Sequence, residues 1–191
     1  PHFAQADNKR LVELFSGPGV ISDIAEQHGF EVVRLDKSLP ALGKKGRRIA
    51  ADATALPLRR DCFAGLLAVN GSINYLPDET VLMAHFAECA AVLCRGGGYV
   101  LDFCPTERAY GLHARTFRAM GGAVAFSHQF SEANQQLLST VAVQDNQGDI
   151  MTELHHQHIF TLPQIRRAAV AAGFEVLKES ENYGLPFCGD N

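Results

Sequence analysis

No apolar run in the sequence approaches the roughly 20 residues a helix needs to cross a bilayer, so no segment reads as a membrane span. A basic excess is also missing. Seventeen Lys and Arg stand against 21 Asp and Glu, a formal charge of −4, whereas a general grip on nucleic acid needs a basic surface to neutralise phosphates. The one basic cluster, Lys44, Lys45, Arg47 and Arg48, reads as a solvated loop. Paired cysteine spacing is absent, and the five cysteines are odd in number, which points to reduced thiols and a cytoplasmic protein. There is no signal-peptide pattern and no low-complexity tract. The chain opens on Pro1 without a methionine, which reads as a processed or trimmed product lacking part of its N terminus.

What is present suffices for one α/β domain: 191 residues, 47% of them hydrophobic, can bury a substantial core. Residues 9–36 organise the rest. Leu11, Val12, Leu14 and Phe15 form a short apolar run bounded by Ser-Gly-Pro-Gly, which predicts a buried strand and a tight turn. Ile21, Ile24, Ala25 and His28 follow at helical spacing, closed by Gly29. A second strand over 31–35 ends at Asp36. Strand, glycine loop, helix and strand with a terminal carboxylate describe a nucleoside-binding βαβ unit.

The details of that unit discriminate between cofactors. Gly17 and Gly19 allow a tight turn and a ligand lying against backbone. The third glycine of a dinucleotide motif is missing, replaced by Ser22, and Pro18 removes an amide donor that a pyrophosphate would want. Glu13 inside the first strand needs a cationic or donor-rich partner. It suits a ligand's ammonium and would repel a pyrophosphate.

Farther along, a third strand is expected around 48–51, ahead of Asp52-Ala53, and a fourth over 66–69, ahead of the turn Asn70 to Asn74 and Tyr75. The short segment 37–48 leaves no room for a crossover helix. Residues 79–94 predict a helix with Leu82, His85, Phe86, Cys89 and Leu93 on its inner face, capped by Asp78 and ended by Gly96 to Gly98. His85 and Cys89 read as core groups. A fifth strand at 99–103 precedes a loop at 107–122 expected to be mobile and to close over substrate. Alternation then predicts an antiparallel meander at 123–130, 137–144 and 150–160, with a hairpin turn at 145–149. Thr161 to Gln164 is a capping box that starts a helix over 164–172. Strands at 174–179 and 185–188 would follow. The run of His155, His156 and His158 reads as metal-free, because alternation puts His156 and His158 on one strand face and His155 on the other.

Taken together, the Glu13 strand, Gly17-x-Gly19, Asp36, Asp52-Ala53, the Asn70 turn and the Ala172-Gly173-Phe174 helix end resemble the Rossmann-like (class I) S-adenosylmethionine-dependent methyltransferases. The meander, His155 and the Thr161 helix resemble their small-molecule branch, nearest to the amino-sugar N,N-dimethyltransferases. The resemblance implies a doubly wound, mostly parallel seven-stranded sheet with an antiparallel last strand and an inserted antiparallel meander at about 123–160, all one domain. It implies S-adenosyl-L-methionine as cofactor. Asp36 would take the ribose hydroxyls and Asp52 the adenine amine, with Ala53 letting its backbone approach the ring. The Gly17–Gly19 turn and Glu13 would hold the methionine end, and Asn70 would lie on the ligand edge. His128 matches a histidine near the reacting amine, and Tyr75 would reach the methyl group or the substrate, with His113 or His155 in reserve. A histidine packed in an apolar wall is the competing reading for His128, and a ring packed on the next helix is the competing reading for Tyr75. The expected partner is a small-molecule methyl acceptor, with no nucleic acid and no membrane, and with a homodimer allowed. The sequence departs from the family in lacking the N-terminal helix that helps cover the cofactor, in the short segment after Asp36, and in Ala64 where an acid is usual. A non-catalytic S-adenosylmethionine-binding subunit and a nicotinamide-dependent oxidoreductase stay open as alternatives, the latter disfavoured by Pro18, Ser22 and Glu13.

Overall fold

Strand β1 (Arg10–Leu14) is buried from Leu11 onward, Glu13 included, because it is central, with neighbours on both sides. In the computed structural model, which describes residues 8–112, 114–119 and 122–180, it lies between β2 (Glu31–Asp36) and β4 (Phe63–Ala68). Strand β3 (Arg47–Ala50) flanks β2, and β5 (Leu93–Leu101) flanks β4. All these pairings are parallel, in the order β3-β2-β1-β4-β5. The strand order reverses at β1 and β4, so a crevice opens at their carboxyl ends, where open α/β sheets bind ligands.

Helix α1 (Val20–Gln27) connects β1 to β2, and α2 (Glu79–Val92) connects β4 to β5. The segment between β2 and β3 carries no helix, as its length demands. Val12, Leu14, Leu35, Leu66, Cys89 and Val92 form one apolar cluster. A second, with Ile73, Leu82, Phe86, Phe160, Ile165 and Ala168, packs α2 against α4 (Leu162–Ala171). Asp78 caps α2 through the Val81 amide at 2.9 Å. Thr161 and Gln164 close the capping box of α4 in both directions.

Beyond β5 come α3 (Thr106–Tyr110), β6 (Arg115–Ala119), β7 (Gly122–Ser131), β8 (Gln136–Gln144) and β9 (Ile150–His158). The four strands make a separate antiparallel sheet, β6-β7-β8-β9. No described helix is long and apolar enough to cross a membrane.

The sequence expectations change in four places. Helix α2 ends at Val92 because Leu93 turns extended, and Gly96 to Gly98 ride inside β5, where Gly96 has φ of 78° and the β4–β5 register shifts. A side chain at Gly97 would stand 2.9 Å from the Cys94 carbonyl oxygen, so this bulge needs glycine. The inner residue of α1 is Ser22, with Ile24 turned outward, because buried polar partners on β1 and β2 draw the helix's polar side in. Residues 107–122 form α3 and β6 in their described parts rather than a loop. Residues 174–179 make no ladder, since the described parallel sheet ends at β5 and a strand exists only through a partner. The seven-stranded count is therefore not reached among the described residues, and the expected strand at 185–188 lies outside them.

Candidate functional site

After β1 the backbone turns sharply: Phe15, Gly17 and Gly19 have φ of 54°, 50° and 80°. The Gly17 amide donates to Asp36 Oδ2 at 2.9 Å, and the Ser38 amide donates to Asp36 Oδ1 at 2.8 Å. One carboxylate at the tip of β2 therefore shapes two loops of the crevice. A Cβ added at Gly17 would meet nothing within 4 Å. The missing side chain leaves open space in front of the turn, a cradle for a ligand. Gly19 is glycine for the opposite reason. A Cβ there would fall 2.8 Å from Arg34 Cδ and Nη1, and Arg34 is buried with its guanidinium on Asp23 at 2.6 Å and Glu26 at 2.9 Å. Gly19→Ala combines a clash with a left-handed backbone, and stability is expected to fall by about 1–3 kcal/mol. An unaltered urea midpoint would contradict that account.

Glu13 is 3% exposed and belongs to α1 as much as to the strand. It accepts from the Ser22 amide at 2.9 Å and from the Ser22 hydroxyl. Burial pushes its carboxyl above the ordinary range, and the Ser22 hydrogen bonds and Arg34 pull it partly back. Ser22, in the place of a third motif glycine, thus has a structural reason. Its hydroxyl and amide both satisfy Glu13.

At the tip of β3, Asp52 accepts from Thr54 Oγ1 at 2.7 Å, from the Thr54 amide at 2.9 Å and from Lys37 Nζ at 3.0 Å. Those contacts, the Thr54 hydroxyl first, hold its pKa down at about 2. Ala53 is buried, and its carbonyl oxygen accepts from His85 Nδ1 at 2.8 Å. At the tip of β4, Asn70 and Gly71 are left-handed, with φ of 62° and 65°. Their amides both donate to Asp102, that of Asn70 at 3.0 Å. Two hydroxyls in these turns, Ser16 Oγ and Ser72 Oγ, are buried without a hydrogen-bond partner among the described residues. Unsatisfied donors of this kind are costly unless something else occupies the crevice. The open face at Gly17, the carboxylates at two successive strand tips and the orphan hydroxyls fit a nucleoside carrying a polar tail.

The meander meets the same edge. Register pairs His128 with Ser139 and Ser139 with His155, and directly opposed residues share a face. His128 Nδ1 bonds Ser139 Oγ at 2.8 Å, and its ring stacks on Phe126. Burial lowers its pKa below the ordinary histidine value. Across the row, Tyr75 Oη bonds His155 Nδ1 at 2.8 Å, and His155 Nε2 lies 3.5 Å from Glu153. Tyr75 is 46% exposed; burial of its hydroxyl end and then Glu153 raise its phenol pKa, which keeps it protonated. His156 and His158 fall on the other face, as alternation predicts. Among the described residues no group of three His, Cys, Asp or Glu side chains could hold a metal ion.

No protein-family model matches the chain, and no curated protein matches it. Solved structures do match. An S-adenosylmethionine-dependent methyltransferase from Clostridium acetobutylicum superposes with a TM-score of 0.74 at 17% identity, over 88% of this chain and 74% of that one. The sugar N-methyltransferase KedS8 from Streptoalloteichus gives 0.72 at 18% identity, over 88% and 73%. The S-adenosylmethionine-bound amino pentose methyltransferase CalS10 from Micromonospora echinaspora, involved in calicheamicin biosynthesis, gives 0.68 at 21% identity, over 88% and 76%. The chain has the methyltransferase fold.

On that fold, Gly17, Gly19, Asp36, Asp52, Ala53 and Asn70 all lie in turns at the carboxyl edge; His128 lies in a meander row with Ser139 and His155, and Tyr75, in the turn after β4, meets that row at His155. Glu13 lies below the edge, on Ser22. His113 is outside the described residues. For two more residues the sequence places the segment at the ligand edge, Asn74 in the turn after the fourth strand and Asp102 at the end of the fifth, but not the partners. Asp102 anchors the Asn70–Gly71 turn. Asn74, fully buried, donates to the His158 carbonyl at 2.8 Å and the Cys104 carbonyl at 3.3 Å and accepts from the Cys104 amide at 2.8 Å. Their signal was only a polar residue near a strand end. Asn74 ties the end of β9 to the crevice, which makes the meander its wall.

Proposed function

We propose that the protein transfers a methyl group from S-adenosylmethionine to an N or O atom of a small-molecule acceptor. The Tyr75–His155 hydrogen bond carries this reading, because it brings the polar row of the meander against the edge where Gly17, Asp36, Asp52 and Asn70 gather. When bound, S-adenosylmethionine supplies a methyl group already activated by its sulfonium, so the protein's task is orientation and exclusion of water. Orientation of reactants contributes about 7–11 kcal/mol to lowering such barriers.

Asp36 holds the ribose hydroxyls, and Asp52 accepts from the adenine amine, while Ala53 lets its backbone approach the ring. The Gly17–Gly19 turn receives the methionine end, and Glu13 supports that turn through Ser22. Asn70 closes the edge beside it. His128 faces the acceptor. Its Nδ1 is engaged by Ser139, which leaves Nε2 to take the proton that the acceptor N–H or O–H gives up as its heteroatom gains the methyl. Phe126 and Phe130 on the same strand face keep water away. Tyr75, protonated, donates or accepts a hydrogen bond to orient the acceptor. An acceptor with an amine on a polar ring fits the two imidazoles and the Glu153 carboxylate of one meander face together with the Tyr75 phenol bonded to it. We further propose that residues 1–191 work as a single methyltransferase domain with 123–160 inserted, and that the protein is cytoplasmic, a placement supported by the four described cysteines being free thiols.

Isothermal calorimetry tests the core of the proposal. S-adenosylhomocysteine is expected to bind one to one, and NAD not at all. Heat from NAD with none from S-adenosylhomocysteine would return the chain to the oxidoreductases.

A further inference from the structure

We infer that His85, a residue of α2 outside every cofactor motif, is the positioning residue for the adenine end of the site. The inference rests on the proposed methyltransferase function and concerns how Asp52 is aimed. His85 is fully buried. Its Nδ1 stands 2.8 Å from the Ala53 carbonyl, which can only accept, so the partners assign the proton to Nδ1. Nε2 is then the acceptor for Tyr99 Oη, also at 2.8 Å. Burial drives the pKa to about 4, so the imidazole is neutral and this tautomer is stable at neutral pH.

The consequence lies in one peptide unit. The Ala53 carbonyl and the Thr54 N–H belong to the same plane, which does not twist freely. His85 holds the carbonyl end, and Asp52 Oδ1 accepts from the N–H end at 2.9 Å. Rotating this plane would carry the Asp52 carboxylate with it. The other face of the site is touched too: the His85 and Phe15 ring centroids are 5.8 Å apart, and Phe15 stands directly before the Ser16–Gly17 turn. A single imidazole thus spaces the glycine turn at β1 from the acid at β3.

The experiment compares affinities for S-adenosylhomocysteine and for its inosine analogue, which lacks the adenine amine. The wild type is expected to prefer the adenine ligand. His85→Phe keeps the ring and removes the donor, so the preference should shrink about tenfold, the scale of one buried hydrogen bond. His85→Asn, whose amide reaches toward the position of Nδ1, should retain most of the preference. Tyr99→Phe, which removes only the outer partner, should retain it fully. Should His85→Phe fail to fold, His85→Gln, with its donor one carbon farther out, takes its place with the same expected loss. A lowered melting temperature with an unchanged adenine-to-inosine ratio would make His85 merely structural and overturn the inference. A wild type that binds S-adenosylhomocysteine and its inosine analogue equally would overturn it as well, leaving the cofactor assignment standing. A wild type that binds neither would overturn the methyltransferase reading itself.

Discussion

Asp36→Ala and Asp52→Ala together are expected to reduce the affinity for S-adenosylhomocysteine more than any other change at the cofactor edge. Each loses a charge-assisted contact that contributes about 1.5–3 kcal/mol. The two carboxylates differ in what else they do. Asp36 accepts from the Gly17 and Ser38 amides, so its loss also frees the glycine turn, and Asp36→Asn, keeping one acceptor oxygen, should restore part of the affinity. Asp52 accepts from Thr54 and Lys37. With its pKa held at about 2, it stays ionised throughout the ordinary working range. Its stabilising contribution is present above the unfolded carboxyl value and is lost only as pH falls through about 2. The affinity should therefore show no acidic limb from Asp52 between pH 4 and 8. Calorimetry on the double variant decides the matter, and an unchanged affinity would sink the cofactor assignment.

His128→Ala is expected to lower turnover by about 10²–10⁴-fold, the scale of acid–base catalysis, with little change in cofactor affinity. The distance in the fold is the reason. His128 lies on the meander, in a row with Ser139 and His155, while the cofactor contacts sit on the turns of the parallel sheet. Because burial depresses its pKa, the imidazole is neutral over more of the pH range than an ordinary histidine. As a base it loses activity only when protonated, so the acid limb of the rate profile should fall below the ordinary histidine value of about 6.5. Ser139→Ala frees Nδ1 and should shift that limb while leaving most of the turnover. A fall in melting temperature with turnover intact in His128→Ala would make the residue a packing group.

Much of the site was visible from local chemistry. A carboxylate at the end of an apolar run, a glycine pair after it and an Asp-Ala step after a strand need no distant partner to be noticed, because strand period and turn chemistry are written in adjacent residues. The capping box at Thr161 and the cap at Asp78 were visible on the same terms. Glu13 was conspicuous as an acid inside a strand, yet its partner Ser22 was not, since that pairing depends on how α1 lies on β1.

Alone, then, the sequence determined the βαβ unit, the acids at strand tips, the helix caps, the meander and the splitting of His155 from His156 and His158, all consequences of short-range periodicity. Only the tertiary structure decided which groups meet. The register of three antiparallel strands set His128, Ser139 and His155 in one row. A contact across 80 residues of chain joined Tyr75 to that row, and another across 32 joined His85 to Ala53. It also moved the end of α2 ahead of its glycines, buried Arg34 beneath the turn and left residues 174–179 without a ladder. Those outcomes depend on burial, register and partners far along the chain, and no local pattern of residue types encodes which distant group will arrive.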